Sequence, residues 1–371
     1  MKLKVIFRTD ASLNIGTGHV MRCLTLADAL RNQGVECHFI CREHPGHLMN
    51  QIRVAGHEVH SLPPHQRWQP VVGASDVTMP AHAEWLGASQ EQDAMACASI
   101  LRALHPDWLV VDHYALDIRW ETVQRPYCRK LVIIDDLADR RHDCDFLLDQ
   151  TFGRREEDYQ HLVPQKSVLL CGSRYALLRP EFAQWRPYSL ARRKLPQLEH
   201  LLIALGGVDR INATGQILDA LIAGCLPDKC RISVVMGETA PWLSQIQHKA
   251  AQLSWSTSVL IGVTDMARLM ADSDLAIGAG GATSWERCCL GLPTLLVVVA
   301  DNQLAVARNL EQFGAARIMS YGALDDGNFV TQHLRDLQGN PQAMASMTHA
   351  AASAVDGKGV ERVMHVLCQG Q

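Results

Sequence analysis

His19 stands in Asn14-Ile15-Gly16-Thr17-Gly18-His19, a glycine-rich loop between an apolar run and a helical pattern. Gly16 and Gly18 let the backbone come close to a ligand, and the amides of the first helical turn would face it. At the first helical position the helix dipole favours neutral imidazole, the form a general base needs near neutral pH. A helix-start histidine also serves plain local hydrogen bonding, so the residue alone leaves both uses open.

A second constellation is Gly278-Ala279-Gly280-Gly281-Ala282-Thr283-Ser284-Trp285-Glu286. Gly280, Gly281 and the amides of Ala282 and Thr283 could cradle a pyrophosphate, and Glu286, a turn into the helix, could accept two ribose hydroxyls. The alternative is a glycine turn capped by Thr283, with Glu286 complementing the helix N-terminus. Gly206-Gly207-Val208-Asp209 offers further amides or an ordinary turn. Asp112-His113-Tyr114 follows a strand-like run and should lie near His19, unless Tyr114 only packs beneath a loop.

Neither loop is a standard nucleotide motif: Gly16 and Gly18 lack the third glycine of G-x-G-x-x-G, and no Lys-Ser/Thr completes a P-loop. Asp10, Asp112, Asp135 and Asp136 show no metal-ligand spacing, so capping and strand-end roles are expected of them and no metal is assigned. The 12 cysteines contain no C-x-x-C pair and read as reduced, mostly buried small hydrophobes.

These residues need a scaffold. Lys4 to Phe7, the loop, a helix ending near Gly34 and a strand over Val35 to Cys41 make a βαβ unit, hence a parallel sheet. Trp108 to Asp112 and Leu131 to Asp135 add strands ending in carboxylates. A second series runs from strands into turns: Leu201 to Leu205 into Gly206, Ile232 to Met236 into Gly237, Leu275 to Ile277 into Gly278, and Thr294 to Val299 into Ala300. Residues 61–85, rich in Pro and His, read as a mobile functional loop. The Pro-, Arg- and Trp-rich stretch near 179–197 reads as a linker.

At 371 residues two domains are expected. The fold class is therefore α/β, with two parallel-sheet Rossmann-like domains at 1–185 and 196–345, and a C-terminal helical segment, 346–371, crossing back to the first. Apolar residues at 47% and charged residues at 20% indicate a globular chain. The net charge of −4 disfavours nucleic acid as a partner. No signal peptide or membrane-length apolar run is evident, so a cytoplasmic protein without a membrane partner is expected, and a monomer.

Arg8-Thr9-Asp10, Gly16-Thr17-Gly18-His19-Val20-Met21-Arg22, Asp112-His113-Tyr114 and Gly172-Ser173-Arg174-Tyr175-Ala176-Leu177-Leu178-Arg179-Pro180-Glu181-Phe182 occur in that order. Gly206-Gly207, Gly280 to Arg287, Leu290-Gly291-Leu292-Pro293 and Ala300-Asp301-Asn302-Gln303 follow. This set resembles the UDP-2,4-diacetamido-2,4,6-trideoxy-β-L-altropyranose hydrolases of pseudaminic acid biosynthesis, which would serve flagellin glycosylation or a surface polysaccharide. The second half is also similar to the wider group that includes the lipid-linked peptidoglycan N-acetylglucosaminyltransferase, with its two-domain glycosyltransferase-B (GT-B) architecture.

The resemblance implies a metal-independent, inverting hydrolysis of a UDP-sugar by water and no cofactor. His19 would activate the water, while Asp10, Gly16, Gly18, Tyr114 and Asn302 would line the sugar and phosphate region. Gly206, Gly207, Val263, Gly280, Gly281, Ala282, Thr283 and Glu286 would hold UDP. Val208-Asp209-Arg210 and Asp149-Gln150-Thr151 depart from the family's pattern, away from His19. A transferase of the same fold and a non-catalytic nucleotide-sugar-binding module are the rival expectations.

Overall fold

Alternating strands and helices dominate the computed structural model, which describes residues 3–64, 79–222, 224, 226–238, 240–324 and 326–369. The expected loop at 61–85 falls partly outside them, at 65–78, as do Met1, Lys2 and Cys225. The chain divides into two compact units, one of residues 1–177 with 359–371, the other of residues 178–358.

The first unit holds seven strands: β1 (Lys4–Thr9), β2 (Glu36–Arg42), β3 (Glu58–Leu62), β4 (Trp108–Asp112), β5 (Lys130–Ile134), β6 (Phe146–Asp149) and β7 (Val168–Cys171). They pair in parallel in the order β3-β2-β1-β4-β5-β6-β7. A parallel sheet covered on both faces needs strands apolar on both sides. Accordingly Val5, Phe7, Phe39 and Val110 enter one core layer, and Ile6, Ile40, Leu109 and Val111 the other.

The second unit repeats the plan with β8 (His200–Ala204), β9 (Arg231–Met236), β10 (Ser256–Ile261), β11 (Leu275–Ala279), β12 (Thr294–Val298) and β13 (Arg317–Ser320). Their order is β10-β9-β8-β11-β12-β13, again all parallel. Winding therefore reverses between β1 and β4 in one unit and between β8 and β11 in the other. At such switch points the loops leaving adjacent strands diverge and open a crevice at the strands' C-terminal ends.

The stretch read as a linker is instead the helix Pro180–Arg192, inside the second unit. Its arginines and the Arg193 that caps it hide it from a search for apolar periodicity, because they donate to carbonyls at the ends of other helices. Arg186 donates to Ala352 O at 2.7 Å and Val355 O at 2.9 Å. Arg193 donates to Met270 O at 2.9 Å and Ser273 O at 2.6 Å. Cations suit helix C-termini.

The last helical stretch is likewise two helices, Pro341–Ala354 and Gly359–Gln369, broken where Gly357 takes φ +82°. The second groups with the first unit, where a Cβ on Gly359 would lie 2.2 Å from Ala176 O, so only glycine permits that approach. No helix among the described residues is long and apolar enough to cross a membrane. The 11 described cysteines are free, eight of them buried.

Candidate active site and nucleotide loops

In the first unit β1 and β4 are neighbours, so the loop after β1 and the end of β4 meet at the switch point. The helix Gly18–Asn32 puts His19 and Arg22 a turn apart on one side. His19 Nδ1 lies 2.6 Å from Asp112 Oδ1. Arg22 grips the same carboxylate with two bonds, Nε to Oδ2 at 2.6 Å and Nη2 to Oδ1 at 2.7 Å. Burial by itself would raise the Asp112 pKa, but Arg22 and His19 outweigh it and hold the carboxylate ionised.

An ionised carboxylate accepts only, so Nδ1–H of His19 donates to it. That assignment leaves Nε2 as the basic nitrogen, and Nε2 takes no hydrogen-bond partner among the described residues. The structure adds a carboxylate that fixes tautomer and ring orientation together.

The ring of contacts closes through Asp136, which accepts from Arg22 Nη1 at 2.5 Å and from Tyr114 Oη at 2.7 Å. Tyr114 then meets His19 edge-on, with centroids 4.5 Å apart and planes at 87°. Its hydroxyl is therefore committed to Asp136, and burial, with Asp136, pushes its pKa up. Trp85 stacks on Tyr114 at 5.8 Å, and His82 lies 4.2 Å from Trp85. These two lie just past residues 65–78 and carry no motif that would mark them in sequence.

Asp10 is fully buried and accepts from Arg42 N at 2.6 Å, pairs with Arg8 Nη1 at 2.7 Å and lies 3.2 Å from His113 Nε2. Burial opposes its ionisation, but Arg8, His113 and His44 hold its pKa well below the usual range. It underpins the crevice and offers no open carboxylate to a ligand. Of the capping and strand-end roles expected of the four aspartates, the strand-end position holds for all: Asp112 ends β4, and Asp10, Asp135 and Asp136 directly follow β1 and β5, while Asp135 also caps the turn after it, accepting from Ala138 N at 2.9 Å. Asp112, Asp136 and Asp10 neutralise buried cations, and Asp135 pairs with Arg140 at 2.8 Å while accepting from Tyr159 Oη.

The first glycine loop is less open than expected. Ser12 satisfies it internally, its hydroxyl accepting from Asn14 N and Ile15 N and its carbonyl from Gly16 N. Gly16 sits at φ +81°, where glycine is favoured, and Gly18 begins the helix.

In the second unit the glycine loop leaves β11 beside β8. Ala282 precedes the helix Thr283–Cys289 and makes no side-chain cap, so the Thr283-capped alternative is not adopted. The amides of Gly281, Ala282 and Thr283 take no intramolecular acceptor among the described residues. Gly280 N donates to Gln303 Oε1 at 3.2 Å, and a Cβ there would lie 3.0 Å from Gln303 Cβ. Gln303 thus ties the loop after β12 to the glycine loop, while Asn302 beside it is exposed.

Behind the loop, buried Arg287 donates to Ala279 O at 2.7 Å, Ser284 Oγ at 3.1 Å and Thr283 Oγ1 at 3.1 Å. A Cβ on Gly278 would fall 2.4 Å from its Nη1, which explains that glycine. Glu286 is half-buried; burial pushes its pKa up to about 7, against Arg179 and Arg287.

Gly206 and Gly207 follow β8, and Gly207 O accepts from Gly237 N at 3.0 Å. Asp209 caps the next helix, Ala213–Ile222, accepting from Ala213 N at 3.0 Å and Thr214 N at 2.9 Å. Val263 lies in the loop after β10. The expected nucleotide residues thus follow the C-terminal ends of β8, β10 and β11, and His19, Asp112 and Tyr114 gather at the switch point of their sheet.

Residues 218–363 match the glycosyltransferase family 28 C-terminal domain. The UDP-2,4-diacetamido-2,4,6-trideoxy-beta-L-altropyranose hydrolase of Campylobacter jejuni is 26% identical over 312 residues, 84% of this chain and 97% of that protein. The uncharacterized protein MJ1062 of Methanocaldococcus jannaschii is 25% identical over 307 residues, 81% of this chain, and this chain spans 56% of its length. Among solved structures, MurG of Acinetobacter baumannii aligns over the whole of both chains with a TM-score of 0.71 at 16% identity. That likeness establishes a fold of two Rossmann-like domains.

Proposed function

From a chain with the two-domain GT-B fold that is similar over 84% of its length to a UDP-sugar hydrolase, we propose hydrolysis of a UDP-linked 2,4-diacetamido-2,4,6-trideoxy-L-altrose to free sugar and UDP. At the coarser level it is an enzyme acting on UDP-sugars. The observation carrying the finer reading is the His19–Asp112 pair, 2.6 Å apart, with Nε2 of His19 left as the base.

Asp112 orients the imidazole and stabilises the imidazolium that forms once a proton is taken. His19 Nε2 takes that proton from a water whose oxygen attacks the anomeric carbon opposite the leaving group. The bond from that carbon to the β-phosphate oxygen breaks, its electron pair leaves with UDP, and the configuration inverts. A diphosphate leaves without strong acid assistance, so one base suffices where glycosidases use two carboxylates. The amides of Gly281, Ala282 and Thr283 meet the growing phosphate charge, so no metal ion enters the reaction. Glu286 accepts from ribose hydroxyls.

The test is incubation with the UDP-linked diacetamido sugar, followed by NMR for anomeric configuration and by UDP release. Release with inversion in buffer alone supports the hydrolase. Release only with an added sugar or lipid acceptor makes the chain a transferase, and UDP binding without release makes it a binding module.

A further inference from the structure

Two Glu-x-His pairs, Glu36-Cys37-His38 and Glu58-Val59-His60, take no part in the chemistry above. Each lies on a strand, where residues two apart share a face. β2 and β3 pair in parallel with His38 opposite Glu58 and Ile40 opposite His60. All four side chains therefore stand on one face at the edge of the sheet. They occupy the N-terminal part of β2 and most of β3, whereas the His19 crevice lies at the C-terminal ends.

We propose that His38, His60 and Glu58, supported by Glu36, form a binding site for a divalent transition-metal ion of the zinc class. His38 Nε2 donates to Glu36 Oε1 at 2.6 Å, which leaves Nδ1 as the nitrogen with the free lone pair. A carboxylate holding the far nitrogen is the usual support of a metal-binding imidazole. That Nδ1 lies 3.2 Å from His60 Nε2 and 3.4 Å from Glu58 Oε2. One ligand atom from each of the three residues falls within 4.8 Å of the others.

Metal–ligand bonds of about 2.0–2.1 Å in a tetrahedron place ligand atoms about 3.3–3.4 Å apart, so the site is already near zinc dimensions. Two imidazoles and a carboxylate suit zinc, nickel or copper and not magnesium or calcium. His38 is 5% exposed and held, while Glu58 is 76% exposed, so a fourth position opens to water on its side. Bound metal would replace the proton now shared between the two rings and pin the edge strand β3 to β2.

The experiment uses the full chain with any affinity tag removed, titrated with Zn²⁺ against a chromophoric chelator and separately with Co²⁺. The expected result is one zinc equivalent more than in His60→Gln, and tetrahedral Co²⁺ absorption bands that this variant lacks. Glu36→Gln should weaken binding about 10- to 100-fold, the effect of losing an orienting partner. Equal zinc uptake by wild type and His60→Gln, or no tetrahedral bands in wild type, overturns the site. Should His60→Gln misfold by circular dichroism, Glu58→Gln, altered at an exposed side chain, carries the same comparison. UDP-sugar turnover should be the same in all these variants, so this test stands or falls apart from the hydrolase reading.

Discussion

The two units run their sheets in the same order and fill their switch points with different chemistry. After β1 and β4 come His19, Arg22 and Asp112, joined by Asp136 and Tyr114 in a chain of hydrogen bonds that an edge-on Tyr114–His19 ring contact closes. After β8 and β11 come Gly206, Gly207 and Gly280 to Thr283, where backbone amides replace side-chain charge. Moving a proton needs a titratable group held in one orientation, and that takes paired charges shielded from water. Holding a diphosphate needs several donors converging on one anion, and glycine offers them by leaving space. One topology thus supports either task, and side-chain composition decides which.

The sharpest break of that comparison is His19→Asn. Turnover should fall on the order of 100- to 10,000-fold, the usual worth of a general base, while calorimetry finds UDP affinity unchanged; near-normal turnover would remove His19 from the mechanism. Next is Asp112→Asn, which keeps the shape, loses the tautomer control and leaves Arg22 without its main counter-charge. A drop in kcat of about 100-fold is expected, with a loss of about 3 kcal/mol in urea unfolding; an unchanged kcat would reduce Asp112 to a structural anion.

In the second unit Glu286→Gln should weaken UDP binding about 10-fold, one charged hydrogen bond's worth, and leave bound turnover nearly intact. Because Glu286 sits near pKa 7, wild-type UDP affinity should rise from pH 6 to pH 8 as the carboxylate ionises, and the variant should show a flat profile. A fall in kcat equal to that of His19→Asn would mean that the two units do not divide the work.

Acid should also separate the units. Asp10, Asp112 and Asp93, which is fully buried and accepts from Arg8 Nη2 and Arg42 Nη2 at 2.7 Å, have folded pKa values below the ordinary one, so their stabilisation is present above the unfolded value, about 3.9, and is lost as the pH falls below it. Asp149, raised to about 6 by burial and by Asp136, offsets part of this. Glu286 is raised, so its contribution is present below the unfolded value, about 4.3, and is lost as pH rises through 7. Hydrogen exchange from pH 7 to 3 should show the first unit losing protection first; the reverse order would refute the charge argument. The smallest effect is expected from EDTA, which should leave turnover unchanged even as it strips the edge of β2 and β3. Activity lost to EDTA and regained with Mg²⁺ would overturn the metal-free reaction.

Most of the strands that carry the sites were readable as apolar runs, because a parallel sheet buries both faces of each strand. β3, β6, β7, β10 and β13 were not. They are short or lie at sheet edges, as in the half-exposed Ser256–Ile261, where burial imposes no strong pattern. The helix Pro180–Arg192 escaped for a related reason, since its anchors are arginines whose acceptors lie about 80 to 170 residues away in sequence.

By itself, the sequence determined that there are two α/β units, where their glycine loops fall, and that the first loop runs into a helix with His19 in its first turn, at the second position in the structure and not the first. Those are local matters of spacing, glycine content and apolar runs, which neighbouring residues decide among themselves. Only the tertiary structure decided that β1 lies beside β4, and with it that Asp112 meets His19 across 93 positions of chain. It likewise committed Asp10 and the Tyr114 hydroxyl to internal partners and left the amides of Gly281 to Thr283 without them among the described residues. Strand order and burial determine which polar groups are already satisfied, and neither is written in the spacing of the residues that carry them.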